Sequence, residues 1–174
     1  MITIRKSILK MSRSFNQDIV VPDGIRHVKM NRSFNSNIIF PDTVLIIEFG
    51  WSFNKDIILP PNLKTLVMQW AFNKVLVFPP SLIFLKLGRK FTQDILPNVK
   101  VLDISLCGHK KFIIPTLTHT VILHDYSYPK SILPITVQLI IFKYTTRKKD
   151  DLSMFKFHYG CNVIKAHYRI CHYA

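Results

Sequence analysis

The sequence is poor in the residues that build most enzyme sites and most disulfide frameworks. It has 5 glycines, 3 cysteines and 10 acidic residues among 174 positions. The glycines form no phosphate-binding loop, the cysteines form no Cys-x-x-Cys pair, and the carboxylates show no paired arrangement. These shortages argue against an enzyme, and we predict no catalytic residues and no cofactor. An odd number of cysteines without a dense framework is typical of reduced intracellular thiols.

Long apolar runs are also missing. Charges at Arg5, Lys6 and Lys10 interrupt the first ten residues too early for the apolar core of a secretory signal. No apolar stretch approaches the ~20 residues needed to span a bilayer. We therefore expect an intracellular protein, in the cytoplasm or in the cytoplasm of a host cell, with no membrane-embedded part. The length suits one folded unit, and 48% hydrophobic residues suffice for its core.

Positive charge, in contrast, is abundant. The chain carries 24 Lys and Arg, and its formal net charge is +14. Such a charge favours acidic partners, nucleic acid or anionic membrane surfaces. The basic residues are nevertheless spread along the chain, and the tight run at 147–149 is followed at once by two aspartates. We interpret most of them as a solvated surface rather than as a nucleic-acid footprint.

An internal repeat organises the chain. Phe15, Phe34, Phe53 and Phe72 follow one another at a constant interval of 19 residues, and each is followed by Asn and, seven residues on, by Pro. A period near 20 is typical of a solenoid. Between each Pro and the next Phe, an apolar-x-x-apolar-x-apolar triplet recurs, with its last two positions spaced as on one face of a strand. The triplets are Ile25/Val28/Met30, Val44/Ile47/Phe49, Leu63/Leu66/Met68, Leu82/Leu85/Leu87, Val99/Leu102/Ile104, Thr118/Val121/Leu123 and Val137/Ile140/Phe142.

The short period restricts the other half of each unit. A unit of 19 residues cannot hold a strand, two turns and a helix, since even a short helix takes about 8 residues. The return limb must be extended or turn-like, and residues 19–21, 38–40, 57–59 and 75–78 could form short second strands that end at Pro. We predict an all-β repeat solenoid of short parallel strands, one per coil, similar to the leucine-rich-repeat architecture and with little or no helix.

The Phe-Asn pairs are interpreted as structural. One Phe per coil, stacked along the solenoid axis, would fill the corner between the two limbs. Each Asn would satisfy backbone groups of its own coil and of the neighbouring coil. The pattern decays after Phe91, where Thr92 replaces Asn. We predict an N-terminal strand or cap at residues 1–11, about seven coils at 12–145 and a C-terminal cap at 146–174, where a weaker apolar set continues the repeat (Leu152, Phe155, Phe157).

The segments Phe-Asn-Gln-Asp-Ile at 15–19, Phe-Asn-Ser-Asn-Ile at 34–38 and Phe-Asn-Lys-Asp-Ile at 53–57 resemble the FNIP repeat, a relative of the leucine-rich repeat. The resemblance covers about residues 12–145. It implies a non-enzymatic interaction module of a family found in amoeboid protists and their giant viruses. Some family members carry an N-terminal F-box that would link the repeats to a ubiquitin ligase. The 14 residues before Phe15 leave no room for an F-box, so the resemblance implies a recognition surface here.

The residues that alternate with the buried strand positions are expected to point outward and to form columns on one broad face. Trp, Tyr and Arg in such columns are typical of binding hot spots, and large apolar side chains exposed together are unusual on a monomer. Trp51 and Trp70 lie one period apart and could also stack on each other. Alternatively, a loop or the C-terminal tail covers these positions and makes them core. We predict a partner-binding patch, with charged residues setting its electrostatic preference at the rim (Glu48, Lys86), made of large apolar and aromatic residues together with one arginine (Ile46, Trp51, Trp70, Phe84, Val101, Arg89).

Two functions follow from this interpretation. The sequence favours a monomeric protein-protein interaction module with a protein partner, and the alternative is a basic β-solenoid that binds nucleic acid through its phosphates. The set His158, Cys161, His167 and Cys171 loosely resembles a four-ligand zinc site. Because its spacing fits no finger or knuckle, a packed cap is preferred and no metal is predicted.

Overall fold

The structure, a computed structural model, describes residues 1–93, 96–107, 112–124, 133–144 and 160–167. Within these ranges every regular element is a β-strand, and no helix is present that could cross a membrane. The strands are β1 (Ile2–Arg5), β2 (Ile8–Met11), β3 (Ile19–Val20), β4 (His27–Lys29), β5 (Ile38–Ile39), β6 (Ile46–Glu48), β7 (Thr65–Val67), β8 (Phe84–Lys86), β9 (Val101–Asp103), β10 (Thr120–His124), β11 (Leu139–Tyr144) and β12 (Asn162–His167).

Ten of these strands form one sheet in the order β1-β2-β4-β6-β7-β8-β9-β10-β11-β12. The nine strands of this sheet from β2 onward run parallel, one from each coil, and the chain winds as a β-solenoid of about seven turns. Only β1 is antiparallel to its neighbour. The prediction of an all-β solenoid with short parallel strands and no helix is therefore confirmed for the described residues.

The register follows the sequence period. Ile47 of β6 pairs with Leu66 of β7, which pairs with Leu85 of β8, so residues 19 positions apart lie side by side. Where the sequence is two residues short, Lys86 pairs with Asp103. Every member of the seven predicted triplets is buried, because the coils enclose one face of each strand.

The repeated phenylalanines form the predicted stack inside the corner between the limbs. The ring centroids of Phe15 and Phe34 are 6.1 Å apart, those of Phe34 and Phe53 5.9 Å, and those of Phe53 and Phe72 6.0 Å. The rings are nearly parallel, with interplanar angles of 7°, 11° and 8°. Phe49 packs against both Phe53 and Phe72, with centroids at 4.7 and 4.8 Å. Each buried ring contributes roughly 1.5–3 kcal/mol.

The asparagines form a second ladder beside the rings. The side-chain Oδ1 of Asn16 accepts the backbone N–H of Asn35 at 2.8 Å, and the same bond joins Asn35 to Asn54 and Asn54 to Asn73 at 2.9 Å. At the end of the series, Oδ1 of Asn73 accepts the N–H and the hydroxyl of Thr92. Each Asn thus satisfies a backbone group of the next coil, as predicted. Leaving such a donor unpaired costs on the order of 1–3 kcal/mol where it is buried.

The return limbs are less regular than the strand face. Only the first two predicted limb strands form, as β3 paired in parallel with β5. Residues 57–59 and 75–78 belong to no strand, so that part of the prediction is wrong. Residues of both limbs, around Ile39 and around Ile58, line a groove of about 630 Å³.

The two ends of the sheet also differ from a plain repeat. At the N-terminus β1 and β2 form a hairpin whose turn residues, Lys6 and Ser7, have φ of 47° and 62°, as a two-residue hairpin loop requires. At the other end the neighbour of β11 is β12, and Leu139 pairs with Asn162. The predicted continuation of the repeat through Leu152, Phe155 and Phe157 lies outside the described residues.

Two of the few glycines occupy one corner, just after the strand, where coils approach closely. A Cβ on Gly50 would collide with the carbonyl oxygen of Asn31, and a Cβ on Gly88 would collide with that of Gln69. The buried Asn31 amide donates to the carbonyl oxygens of Ser12 and Phe15 at 2.7 and 2.6 Å. A residue with an amide side chain and a glycine therefore alternate from coil to coil at this corner.

We predict that Phe53→Ala destabilises the protein by about 3–5 kcal/mol, because it removes a fully buried ring with neighbours on both sides. Phe15→Ala, at the half-buried N-terminal end of the stack, should cost clearly less. Denaturant unfolding of both variants measures the difference. Equal losses would contradict a stack that is supported from both sides at Phe53.

We predict that Gly50→Ala destabilises the protein by about 1–3 kcal/mol, since the new methyl group must push Asn31 and its coil away. The matched control is Gln69→Ala, at the same corner of the next coil, where a Cβ is already accommodated. Thermal or denaturant unfolding compares the two. An unchanged stability for Gly50→Ala would show that the coils can separate there at no cost.

Candidate docking face

Four residues in the turn after the strands form a continuous stack on the outside of the sheet. The rings of Trp51 and Trp70 lie 5.7 Å apart at an interplanar angle of 4°. The guanidinium carbon of Arg32 lies 4.5 Å from the Trp51 ring centroid, and that of Arg89 lies 4.4 Å from the Trp70 ring centroid. We call Arg32, Trp51, Trp70 and Arg89 the Arg-Trp stack. The predicted contact of the two tryptophans is confirmed, and both ends of the pair are covered by arginine.

The backbone holds this stack in register. The N–H groups of Ser52, Ala71 and Lys90 donate to the carbonyl oxygens of Arg32, Trp51 and Trp70, each at 3.0 Å. Each bond links one coil to the next at the corner that carries the stack. The side chains that follow the strand are therefore placed above one another.

The stack leaves a particular surface exposed. Each indole has both faces covered, one by the other indole and one by a guanidinium group. Trp51 and Trp70 are still 45% and 37% exposed, so their ring edges meet solvent. The donors of a guanidinium group lie in its plane, so stacking on a ring does not use them. The surface is a strip of apolar ring edges between two sets of N–H donors.

The other predicted apolar residues share a second column on the same face. Ile46 pairs with Thr65, Thr65 with Phe84, and Phe84 with Val101, so the column is continuous across four strands. All four side chains are half-buried. They are neither core nor fully exposed, and they border the Arg-Trp stack across the intervening row of charged residues.

That intervening row contains Glu48 and Lys86, which were predicted to lie at the rim. Both are strand residues two positions after Ile46 and Phe84, and residues at this spacing project from the same face. They therefore lie inside the patch, between the apolar column and the Arg-Trp stack. That these two residues set the electrostatic preference of the patch stays a prediction.

The carboxylate of Glu48 is bound by side chains of the adjacent strand. Its two carboxylate oxygens each have a partner at 2.8 Å, Nε2 of His27 and Nζ of Lys29, both on the adjacent strand β4. Partial burial alone would raise the pKa of the Glu48 carboxyl, but the hydrogen bonds and charges of Lys29 and His27 together hold its pKa below the ordinary value. Glu48 thus stays ionised and internally neutralised.

Lys86 lies close to a buried carboxylate on the neighbouring strand β9. The carboxylate of Asp103 is 1% exposed, and its Oδ2 lies 2.8 Å from Nζ of Lys143 and 3.8 Å from Nζ of Lys86. The N–H of Ser105 donates to Oδ1 of the same carboxylate at 3.0 Å. Burial lowers the pKa of Lys86, and the Asp103 charge opposes this shift. Lys143 reaches Asp103 across β10, a contact that sequence spacing did not reveal.

A basic groove adjoins the Arg-Trp stack. Lys10, Arg13, Lys29 and Arg32 line a groove of about 750 Å³ together with Ser33 and Ser52. Arg13 and Arg32 precede Trp51 in the same sequence column, which is the signal that would have included them in the predicted patch.

The return limbs expose a different surface that the sequence interpretation overlooked. Val20, Ile39, Ile58 and Val77 are 68%, 63%, 90% and 88% exposed and recur at the same 19-residue interval. Their constant spacing was visible in the sequence, although the limbs were read only as short second strands. This apolar column is the natural control surface for any test of the strand face.

The candidate zinc ligands are only partly described. His158 and Cys171 lie outside the described residues, and His167 belongs to β12. Burial raises the pKa of the Cys161 thiol. Within the described ranges no group of three or more His, Cys, Asp or Glu side chains could hold a metal ion.

Comparison with known proteins gives no match. No protein-family model, no curated protein and no solved structure is similar to the chain. The candidate docking face is therefore defined by its geometry alone.

We predict that Glu48→Gln lowers stability at neutral pH by on the order of 1 kcal/mol, because the ion pair with Lys29 is lost and the contact with His27 is weakened. A depressed carboxyl pKa contributes stability above its unfolded value and loses it as pH falls through the folded value. The gap between wild type and variant should therefore close on acidification. Denaturant unfolding from about pH 7 to pH 3 measures it, with Asp23→Asn at an exposed turn as the control. A gap that does not change with pH would contradict the role of the charge.

Proposed function

We propose that the chain is a non-enzymatic protein-protein interaction module whose strand face holds a partner protein. The Arg-Trp stack is the observation that carries this proposal. Trp and Arg are the residue types most enriched at binding hot spots, and aromatic anchors contribute most when they are already held in place. Here each tryptophan is held by two neighbours at 4.4–5.7 Å.

The fold supports this use. A stack of coils presents columns of side chains on a broad, continuous surface, which is how solenoids bind extended partners. We also propose that the chain is an FNIP repeat protein, for which the Phe stack and the Asn ladder give the repeated motif a structural role. In this proposal the Phe-Asn pairs build the scaffold and the strand face selects the partner.

Nucleic acid is the second candidate, and the basic groove of Lys10, Arg13, Lys29 and Arg32 is the observation in its favour. The Arg-Trp stack argues against it. Proteins that bind single strands stack bases on the faces of aromatic rings, whereas both faces of Trp51 and Trp70 are already occupied. A protein partner can use the ring edges without breaking the stack.

We predict that Trp51→Ala/Trp70→Ala abolishes capture of the partner from the native cell, with a loss of about 2 kcal/mol or more of binding free energy. The matched control is Ile58→Ser/Val77→Ser, which alters the opposite surface to a similar extent and should leave capture unchanged. Circular dichroism and the unfolding midpoint establish that both variants are folded. Loss of capture only in the return-limb variant would place the docking surface on the other side.

A salt titration with random single-stranded DNA and RNA tests the second candidate. Binding through phosphates falls steeply with salt, so weak attraction to the positive charge of the chain is lost at about 200 mM salt. Micromolar affinity that remains at that salt concentration would favour nucleic acid. We expect no such affinity for wild type.

A further inference from the structure

The two ends of the Arg-Trp stack carry like charges at a fixed separation. The successive spacings along the stack are 4.5 Å from Arg32 to Trp51, 5.7 Å between the indoles and 4.4 Å from Trp70 to Arg89. An extended peptide advances roughly 3.3 Å per residue, so about four residue steps match the distance between the guanidinium groups. Side chains four positions apart in an extended peptide project from the same side.

Among the described residues, the carboxylates of this face do not neutralise these arginines. Glu48 is bound by Lys29 and His27, and Asp103 is bound by Lys143 with Lys86 nearby. Arg32 and Arg89 are both exposed. A guanidinium group carries its donors in one plane, and this planar set fits a carboxylate in a bidentate arrangement.

The centre of the stack has the opposite character. Between the arginines lie the edges of two indoles, 45% and 37% exposed and closed to intercalation on both faces. A flat strip of this kind suits one aliphatic side chain. At the Arg32 end the strip continues into the basic groove with Lys10 and Arg13, which favours further acidic residues on that side.

We infer that the segment held by this face is an extended acidic peptide that crosses the strands, with carboxylate side chains at positions i and i+4 on Arg32 and Arg89 and an aliphatic side chain at i+2 on the indole edges. The inference deepens the proposed function and rests on it. The inference specifies the chemistry of the bound segment. The positive charge of the strand face predicts acidic side chains, and the length of the Arg-Trp stack predicts their spacing.

Selection from a random twelve-residue displayed peptide library tests the inference. Wild-type protein is the target, and Trp51→Ala/Trp70→Ala serves for counter-selection. We expect enrichment of Asp or Glu at i and i+4 with an aliphatic residue at i+2. Fluorescence anisotropy of a labelled Glu-Ser-Leu-Ser-Glu peptide should then show at least about tenfold tighter binding than that of Gln-Ser-Leu-Ser-Gln or of a peptide with its two Glu residues three positions apart.

Variants of the protein identify the residues involved. Arg32→Gln and Arg89→Gln should each weaken binding of the labelled peptide about tenfold, and Arg32→Lys should restore only part of it, because an ammonium group lacks the planar donors. Arg26→Gln removes the same charge from an exposed position outside the stack and should have no effect. All variants should keep the wild-type unfolding midpoint.

Three results would overturn the inference. Selected peptides that need Trp51 and Trp70 but lack acidic residues would refute it and leave the proposed function standing. If no selected peptide depends on the two tryptophans, the inference fails, and partner capture by Trp51→Ala/Trp70→Ala decides the proposed function separately. Tighter binding of random single-stranded RNA or DNA than of the acidic peptide, weakened by Arg32→Gln, would assign the face to nucleic acid instead.

Discussion

Hydrogen bonding between successive coils in strict register is the constraint on which the whole structure depends. Because strands β2 to β12 pair in parallel, most residues of one coil have a counterpart directly above and below. A side chain at a given position is therefore packed against the same position of its neighbours. Phenylalanine stacks on phenylalanine, asparagine caps the backbone of asparagine, and tryptophan lies on tryptophan for one and the same reason.

Much of this fold could be predicted from the sequence, because a constant period identifies the residues that become neighbours. The seven buried triplets, the Phe stack and the contact of Trp51 with Trp70 follow directly from it. The period does not indicate which partners long charged side chains contact. Lys143 crosses one strand to reach Asp103, and Glu48 turns towards β4 rather than towards a partner. It also fails where the spacing changes, as between β11 and β12, and in the return limbs, where residues 57–59 share the apolar pattern of residues 38–40 but belong to no strand.

The two sides of the solenoid have different chemistry. The strand side combines lysines and arginines with indole edges, and its Glu48 and Asp103 carboxylates are neutralised internally. The return limbs present branched aliphatic residues at a regular interval, together with carboxylates such as Asp18 and Asp56. A positive net charge of +14 therefore does not describe a uniform surface. Among the described residues, the tryptophan pair covered by arginines lies on the strand side, and that arrangement distinguishes the strand face from a merely solvated one.

The corner occupied in turn by Asn31, Gly50, Gln69 and Gly88 has a consequence for how such a chain can change its length. Tight approach occurs where Gly50 meets the carbonyl of Asn31 in the preceding coil and where Gly88 meets that of Gln69. The structural unit of growth at this corner is thus a pair of coils rather than a single one. Gain or loss of one coil by recombination would bring two bulky or two empty corners together, whereas gain or loss of two would preserve the alternation.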